Sequence, residues 1–175
     1  QREGRPREAR ALFERATRAD PAHAPSWVAW GLMEAELGRV DRARELFQQG
    51  AWGCPEGRQG ARLWQAWALL EAAAGRPADA RRCFRHAVRR ARPTPRGLVP
   101  VLLAWALAEG RLGAHERARQ LMDLAVTYDP ANAQLWRLYE EMEAGQGYYA
   151  EAARVAARGR SAAGTTQWGD AARGG

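Results

Sequence analysis

Apolar and charged residues return along this chain in a fixed order. Trp27, Trp30, Glu34 and Gly38 follow one another at spacings of three, four and four. The set returns as Trp64, Trp67, Glu71 and Gly75, then as Leu102, Trp105, Glu109 and Gly113, and finally as Trp136, Tyr139, Glu143 and Gly147. Residues three and four apart share one face of a helix, so each set predicts an amphipathic helix, helix A. The glycine that closes the set predicts a left-handed helix cap, a conformation that side chains with a Cβ adopt poorly. A second pattern follows each glycine: Ala43, Arg44 and Phe47, then Ala80, Arg81 and Phe84, then Ala118, Arg119 and Met122. It predicts a helix B whose small alanine lets the two helices approach closely. The last unit weakens to Ala152, Ala153 and Ala156, as in a terminal, capping-type repeat.

Residues 5 to 18 carry Arg10, Leu12, Phe13 and Ala16 in the register of a helix B, so the chain is expected to open with half a repeat that lacks its helix A. That predicts further repeats before Gln1. Asp20-Pro21 and Asp129-Pro130 each end a helix B, because a residue before proline avoids helical geometry. The segments 53–57 and 92–96 read as surface loops. No strand pattern appears. The leading positions lie 37, 38 and 34 residues apart, so the prediction is an all-α, right-handed helical-repeat solenoid of about four and a half hairpins. It spans residues 1–160. From 161 to 175 the chain turns to Gly, Ala, Ser and Thr, which predicts a flexible tail.

Composition changes this picture in one respect. The net charge is +7, and all 27 basic residues are arginine. Such usage is first a mark of a GC-rich genome, although arginine's planar fork also suits phosphate and nucleobases. The two cysteines, Cys54 and Cys83, form no CxxC pair and fit a reducing compartment. The three histidines, His23, His86 and His115, have no partner at metal-ligand spacing, so no metal or other cofactor is expected. No apolar run approaches the roughly 18 residues of a membrane span, and no signal peptide opens the chain. No nucleophile and base, metal set or phosphate loop suggests catalysis or a small-molecule substrate.

Trp27, Trp30, Trp64, Trp67, Trp105, Trp136 and Tyr139 read as core knobs between helices A and B, with Gly38, Gly75, Gly113 and Gly147 at the turns. The repeated glutamates are expected to pair with helix-B arginines Arg44, Arg81 and Arg119 and so fix register. The arginines between 76 and 96 are different. Eight of them stand against one acid, Asp79. Arg82, Arg85, Arg89 and Arg92 step by three, four and three and form one stripe, with Arg90, Arg96 and His86 beside it. The other B helices intersperse acids among their arginines. A stripe of this density is an electrostatic footprint for a phosphate backbone. A second candidate surface is the concave groove lined by A helices, with Arg62, Gln65, Arg111, Gln134 and Arg137. The sequence does not choose between groove and stripe.

The spacing Trp-x-x-Trp/Tyr-x-x-x-Glu-x-x-x-Gly followed by Ala-Arg-x-x-Phe resembles the HAT, or half-a-tetratricopeptide, repeat of RNA-processing proteins. The resemblance covers residues 4 to 159. Ordinary tetratricopeptide repeats share the glycine and alanine positions but place Leu-Gly between their aromatic positions. Here Ala29, Ala66, Ala104 and Leu138 precede the second aromatic. Within the family, Trp-Val-Ala-Trp-Gly-Leu-Met-Glu and the arginine-only style look like the chloroplast PsbB mRNA maturation factor group of green algae and plants. The resemblance implies a non-catalytic scaffold that binds single-stranded RNA and stabilises 5′ ends in the chloroplast stroma. The alternative is a protein-interaction scaffold of a nuclear splicing or 3′-end processing complex, with other proteins as partners.

Overall fold

A computed structural model describes residues 4–53, 58–92 and 94–171. All regular structure among them is helical, as the pattern predicts. The helices are α1 (Gly4–Ala19), α2 (Ala24–Glu36), α3 (Val40–Gly53), α4 (Arg58–Ala73), α5 (Pro77–Arg90), α6 (Pro95–Arg111), α7 (His115–Tyr128), α8 (Ala133–Gly145) and α9 (Tyr149–Ala171). They fall into two compact units, Gln1–Pro93 and Thr94–Gly175.

In the first unit, α1 packs on α2, α2 pairs with α3, and α4 pairs with α5 while also packing on α2 and α3. In the second, α6 pairs with α7 and α8 with α9, and α7 meets α8. Each pair is an A/B hairpin, with α1 a lone B helix.

The four glycine turns are built alike. Gly38, Gly75, Gly113 and Gly147 have φ of 75°, 70°, 76° and 83°. In each turn the glycine N–H bonds back three residues and the next N–H bonds to the glutamate carbonyl, as in Arg39 to Glu34 and Arg76 to Glu71, both 2.9 Å. These two bonds make the Schellman motif, which satisfies carbonyls that the helix end leaves open. The alanine after each turn is buried: Ala43 and Ala118 are 0% exposed. Phe47, Phe84 and Met122 behind it are fully buried too. A Cβ on Gly31 would stand 2.7 Å from the Phe47 ring, so the α3 ring packs where α2 carries no side chain.

Three boundaries differ from their predictions. Gly53 belongs to α3 rather than to a loop, and Cys54–Gly57 lie outside the described residues. Pro95 and Arg96 begin α6, because the Thr94 hydroxyl caps the Gly97 N–H at 3.2 Å and proline at the first helical position needs no N–H partner. Helix α9 does not stop near residue 160 but continues to Ala171. Alanines at 156, 157, 162 and 163 favour helix strongly enough to carry the backbone past Gly159. Residues 172–175 lie outside the described set.

Candidate functional site

The repeated glutamates come first, because they decide which arginines are committed to structure. Glu34 and Glu71 are 1% and 2% exposed. Arg10 grips Glu34 through Nε at 2.6 Å and Nη2 at 2.9 Å. Arg44 grips Glu71 at 2.6 and 3.1 Å, and Arg119 grips Glu143 at 2.9 and 2.8 Å. Each arginine therefore holds the glutamate of the following A helix, not that of its own hairpin. The indole N–H of the second aromatic donates to the same carboxylate: Trp30 to Glu34 at 3.3 Å, Trp67 to Glu71 at 3.0 Å and Trp105 to Glu109 at 2.9 Å. The Arg10 hydrogen bonds hold the Glu34 carboxyl below the usual range. At Glu71 burial opposes ionisation, but the Arg44 and Trp67 hydrogen bonds and the Arg44 and Arg76 charges outweigh it. These carboxylates are joints and not paired acids for catalysis.

The aromatic positions divide. Trp27, Trp30, Trp136 and Tyr139 are buried as predicted core. Trp64, Trp67 and Trp105 are only half-buried, so they sit at the edge of the core, and Trp67 packs against the cluster around Trp27 and Trp30. The leading tryptophans also differ in what their N–H meets. Trp27 donates to the Pro21 carbonyl and Trp136 to the Pro130 carbonyl, each at 2.9 Å. Both prolines lie six residues upstream in Asp-Pro turns. Six residues before Trp64 stands Arg58, and the Trp64 N–H has no hydrogen-bond partner among the described residues.

Trp64 instead sits in a stack. Its ring is 5.2 Å from Trp67 at 18° and 4.3 Å from His86 at 21°. The Arg90 guanidinium carbon lies 5.4 Å from the Trp64 centroid, a cation–π distance. Arg90 Nη1 is 3.5 Å from His86 Nδ1. Arginine can only donate, so Nδ1 accepts and the neutral ring carries its hydrogen on Nε2. Burial first, and then the charges of Arg90, Arg89, Arg82 and Arg85, hold His86 below the usual imidazole range. Arg90 is thus half-buried on an aromatic face and is not a fully exposed neighbour of the stripe.

The stripe itself is exposed. Arg82, Arg85, Arg89 and Arg92 all face solvent on or just after α5, while Cys83, Phe84 and Ala87 of the same helix are buried. Burial pushes the Cys83 thiol up to about 12, so it stays protonated and inert. Arg82 pairs with Asp79 at 2.9 Å, and Arg76 shares that carboxylate at 3.2 Å. Arg85, Arg89 and Arg92 make no ion pair among the described residues. Unpaired arginines at this density have no structural partner to serve. Along α5 the stripe from Arg82 to Arg89 runs about 10 Å, the rise of seven helical residues, and Arg92 follows beyond the helix end at Arg90.

The remaining candidates are distributed. Arg62 is exposed on α4 in the first unit, with Gln65 half-buried nearby in sequence. Arg96 and Arg111 are exposed at opposite ends of α6, and Arg137 and Gln134 are exposed on α8, all in the second unit. Charge is unevenly divided in the same way. Residues 1–93 hold 18 arginines against 11 acids, whereas residues 94–175 hold 9 of each. Among the described residues no group of three His, Cys, Asp or Glu could hold a metal ion, and no helix is long and apolar enough to cross a membrane.

Comparison with known proteins agrees with this architecture. The tetratricopeptide repeat family model matches residues 1–57. Two crystal structures of MamA are similar, at 12% and 13% identity and TM-scores of 0.61 and 0.64. They are matched over 89% and 91% of this chain and 86% and 84% of theirs. YrrB, described as a TPR protein with an unusual peptide-binding site, is 13% identical with a TM-score of 0.58, over 91% of this chain and 78% of its own. No curated protein sequence matches. By its fold, the chain is a tetratricopeptide-like helical-repeat protein.

Proposed function

We propose that this chain is a non-catalytic RNA-binding scaffold of mRNA maturation, acting in the chloroplast stroma. One observation carries the reading: Arg85, Arg89 and Arg92 of the stripe are exposed and make no ion pair among the described residues, while the motif arginines Arg44 and Arg119 are locked onto buried glutamates. Backbone phosphates of a single strand would lie along Arg82, Arg85, Arg89 and Arg92. A strand held there is protected sterically, since a bound segment blocks the path of an exonuclease. The HAT-like spacing of the repeats supports the RNA and plastid parts of this reading.

Binding to a single-stranded RNA of 12 nucleotides at several salt concentrations tests it. Replacing all four stripe arginines with glutamine is expected to reduce the slope of log affinity against log salt by about 2 to 3, near 0.7 for each lost phosphate contact. An unchanged affinity and slope would overturn the reading. A fluorescent fusion of the full-length protein tests the compartment.

A second reading, capture of a partner peptide, is favoured by the fold itself, since helical-repeat surfaces commonly hold extended segments. It predicts protein partners that survive nuclease treatment and that the stripe variant still binds.

A further inference from the structure

A stripe of arginines reads phosphates and therefore carries no sequence information. Beside it, Trp64, His86 and Arg90 present a different chemistry. Among the described residues the Trp64 N–H has no partner, and His115 Nδ1 is the one buried side-chain polar atom without one. The Trp64 N–H is therefore open to solvent, unlike the anchored N–H groups of Trp27 and Trp136. The His86 ring stacks on the same indole at 4.3 Å and, with Nδ1 facing Arg90, offers Nε2–H as a donor. Arg90 offers a fork of donors 5.4 Å from the indole centroid. All three groups donate, and no carboxylate pairs with Arg90 among the described residues. The cluster borders the stripe, since His86 and Arg90 share α5 with Arg82, Arg85 and Arg89, whose charges act on His86.

A set of donors selects for acceptors. At the major-groove edge uracil and guanine present keto oxygens, where cytosine and adenine present amino groups that would face the donors unfavourably. We propose that Trp64, His86 and Arg90 form a base-reading subsite that takes the keto edge of a uracil or guanine in the strand held by α5. This deepens the RNA reading and rests on it. An acidic peptide would engage the stripe but gives the Trp64 N–H no reason to distinguish among ligands.

The test compares oligouridine with oligocytidine of equal length, two pyrimidines that differ at the edge in question, with a polyglutamate peptide as a third ligand. The intact protein is expected to prefer oligouridine roughly five- to tenfold, the worth of about one hydrogen bond. Trp64→Phe keeps a stacking ring and removes the N–H, and should bring the ratio close to one. Thermal melting establishes that this variant is folded. Arg90→Gln gives a second, independent loss of preference if Trp64→Phe fails to fold. Equal binding of the two oligonucleotides by the intact protein, or a preference that survives both substitutions, overturns the subsite. Failure to bind either RNA, or polyglutamate binding as tight as RNA, overturns the RNA reading itself, so the two failures are distinguishable.

Discussion

Glu71 shows how much one side chain can hold. Its backbone carbonyl closes the Gly75 turn, and its carboxylate takes the Trp67 indole and the Arg44 fork. Glu71→Gln keeps an acceptor but removes the charge that Arg44 needs. It is expected to lower stability by about 2 kcal/mol, measured by urea unfolding. The pH dependence has a definite sign. Glu34 and Glu71 have folded values below their unfolded ones, so their contribution is complete above the ordinary carboxylate range, about 4.3. It is lost as pH falls through the lowered folded values, so acid titration of stability should show a decline below pH 4 that Glu71→Gln reduces. The pairing of glutamate with a helix-B arginine was legible in the recurrence of both residues. Which arginine meets which glutamate was not, because spacing along the chain does not say which neighbouring helix a long side chain reaches. His86 was visible only as a neighbour of the stripe. The signal that would have raised Trp64 lies six residues upstream, where Arg58 replaces the proline that precedes Trp27 and Trp136.

At the scale of helices, glycine serves two purposes that substitution should separate. Gly75 sits at φ 70° with nothing within 4 Å of where a Cβ would stand. Gly75→Ala therefore meets only backbone strain, about 1 kcal/mol. At Gly50, in α3, a Cβ would stand 2.7 Å from Trp27 and Leu63. Gly50→Ala must push two core side chains apart and is expected to cost more, about 2–3 kcal/mol, with thermal melting ranking the pair. Helix identity was legible throughout because the apolar period is strong. Helix ends were less so. Thr94 and Pro95 look like a loop in a proline-rich segment, yet together they form an N-cap and first turn. Composition after residue 160 suggests a tail, whereas alanine propensity extends α9.

Over the whole chain, the excess positive charge belongs to residues 1–93, and α5 concentrates it. Ultraviolet cross-linking to bound RNA should therefore label peptides of α4 and α5 far more than those of α6 to α9. Equal labelling of α8, where Arg137 is exposed, would favour the groove reading instead. The sequence left stripe and groove open, and exposure alone does not separate them, since Arg62, Arg111 and Arg137 are exposed as well. Repeat register already sets Arg119 apart from Arg89. In the fold one is held by Glu143 and the other makes no ion pair among the described residues.

The cross-hairpin grip of Arg44 on Glu71 has a last consequence, for cooperativity. Helix α3 cannot peel from α4 without stranding a carboxylate that is almost wholly shielded from water. Neighbouring hairpins of the first unit are thereby coupled more strongly than their apolar contact alone would give. In a linear array such interface coupling suppresses partly unzipped states, so α2 to α5 should melt as one block rather than fray hairpin by hairpin. A surface built on α5 then inherits its rigidity from a residue on the far side of the hairpin, and its arginines stay in register for as long as the block is whole.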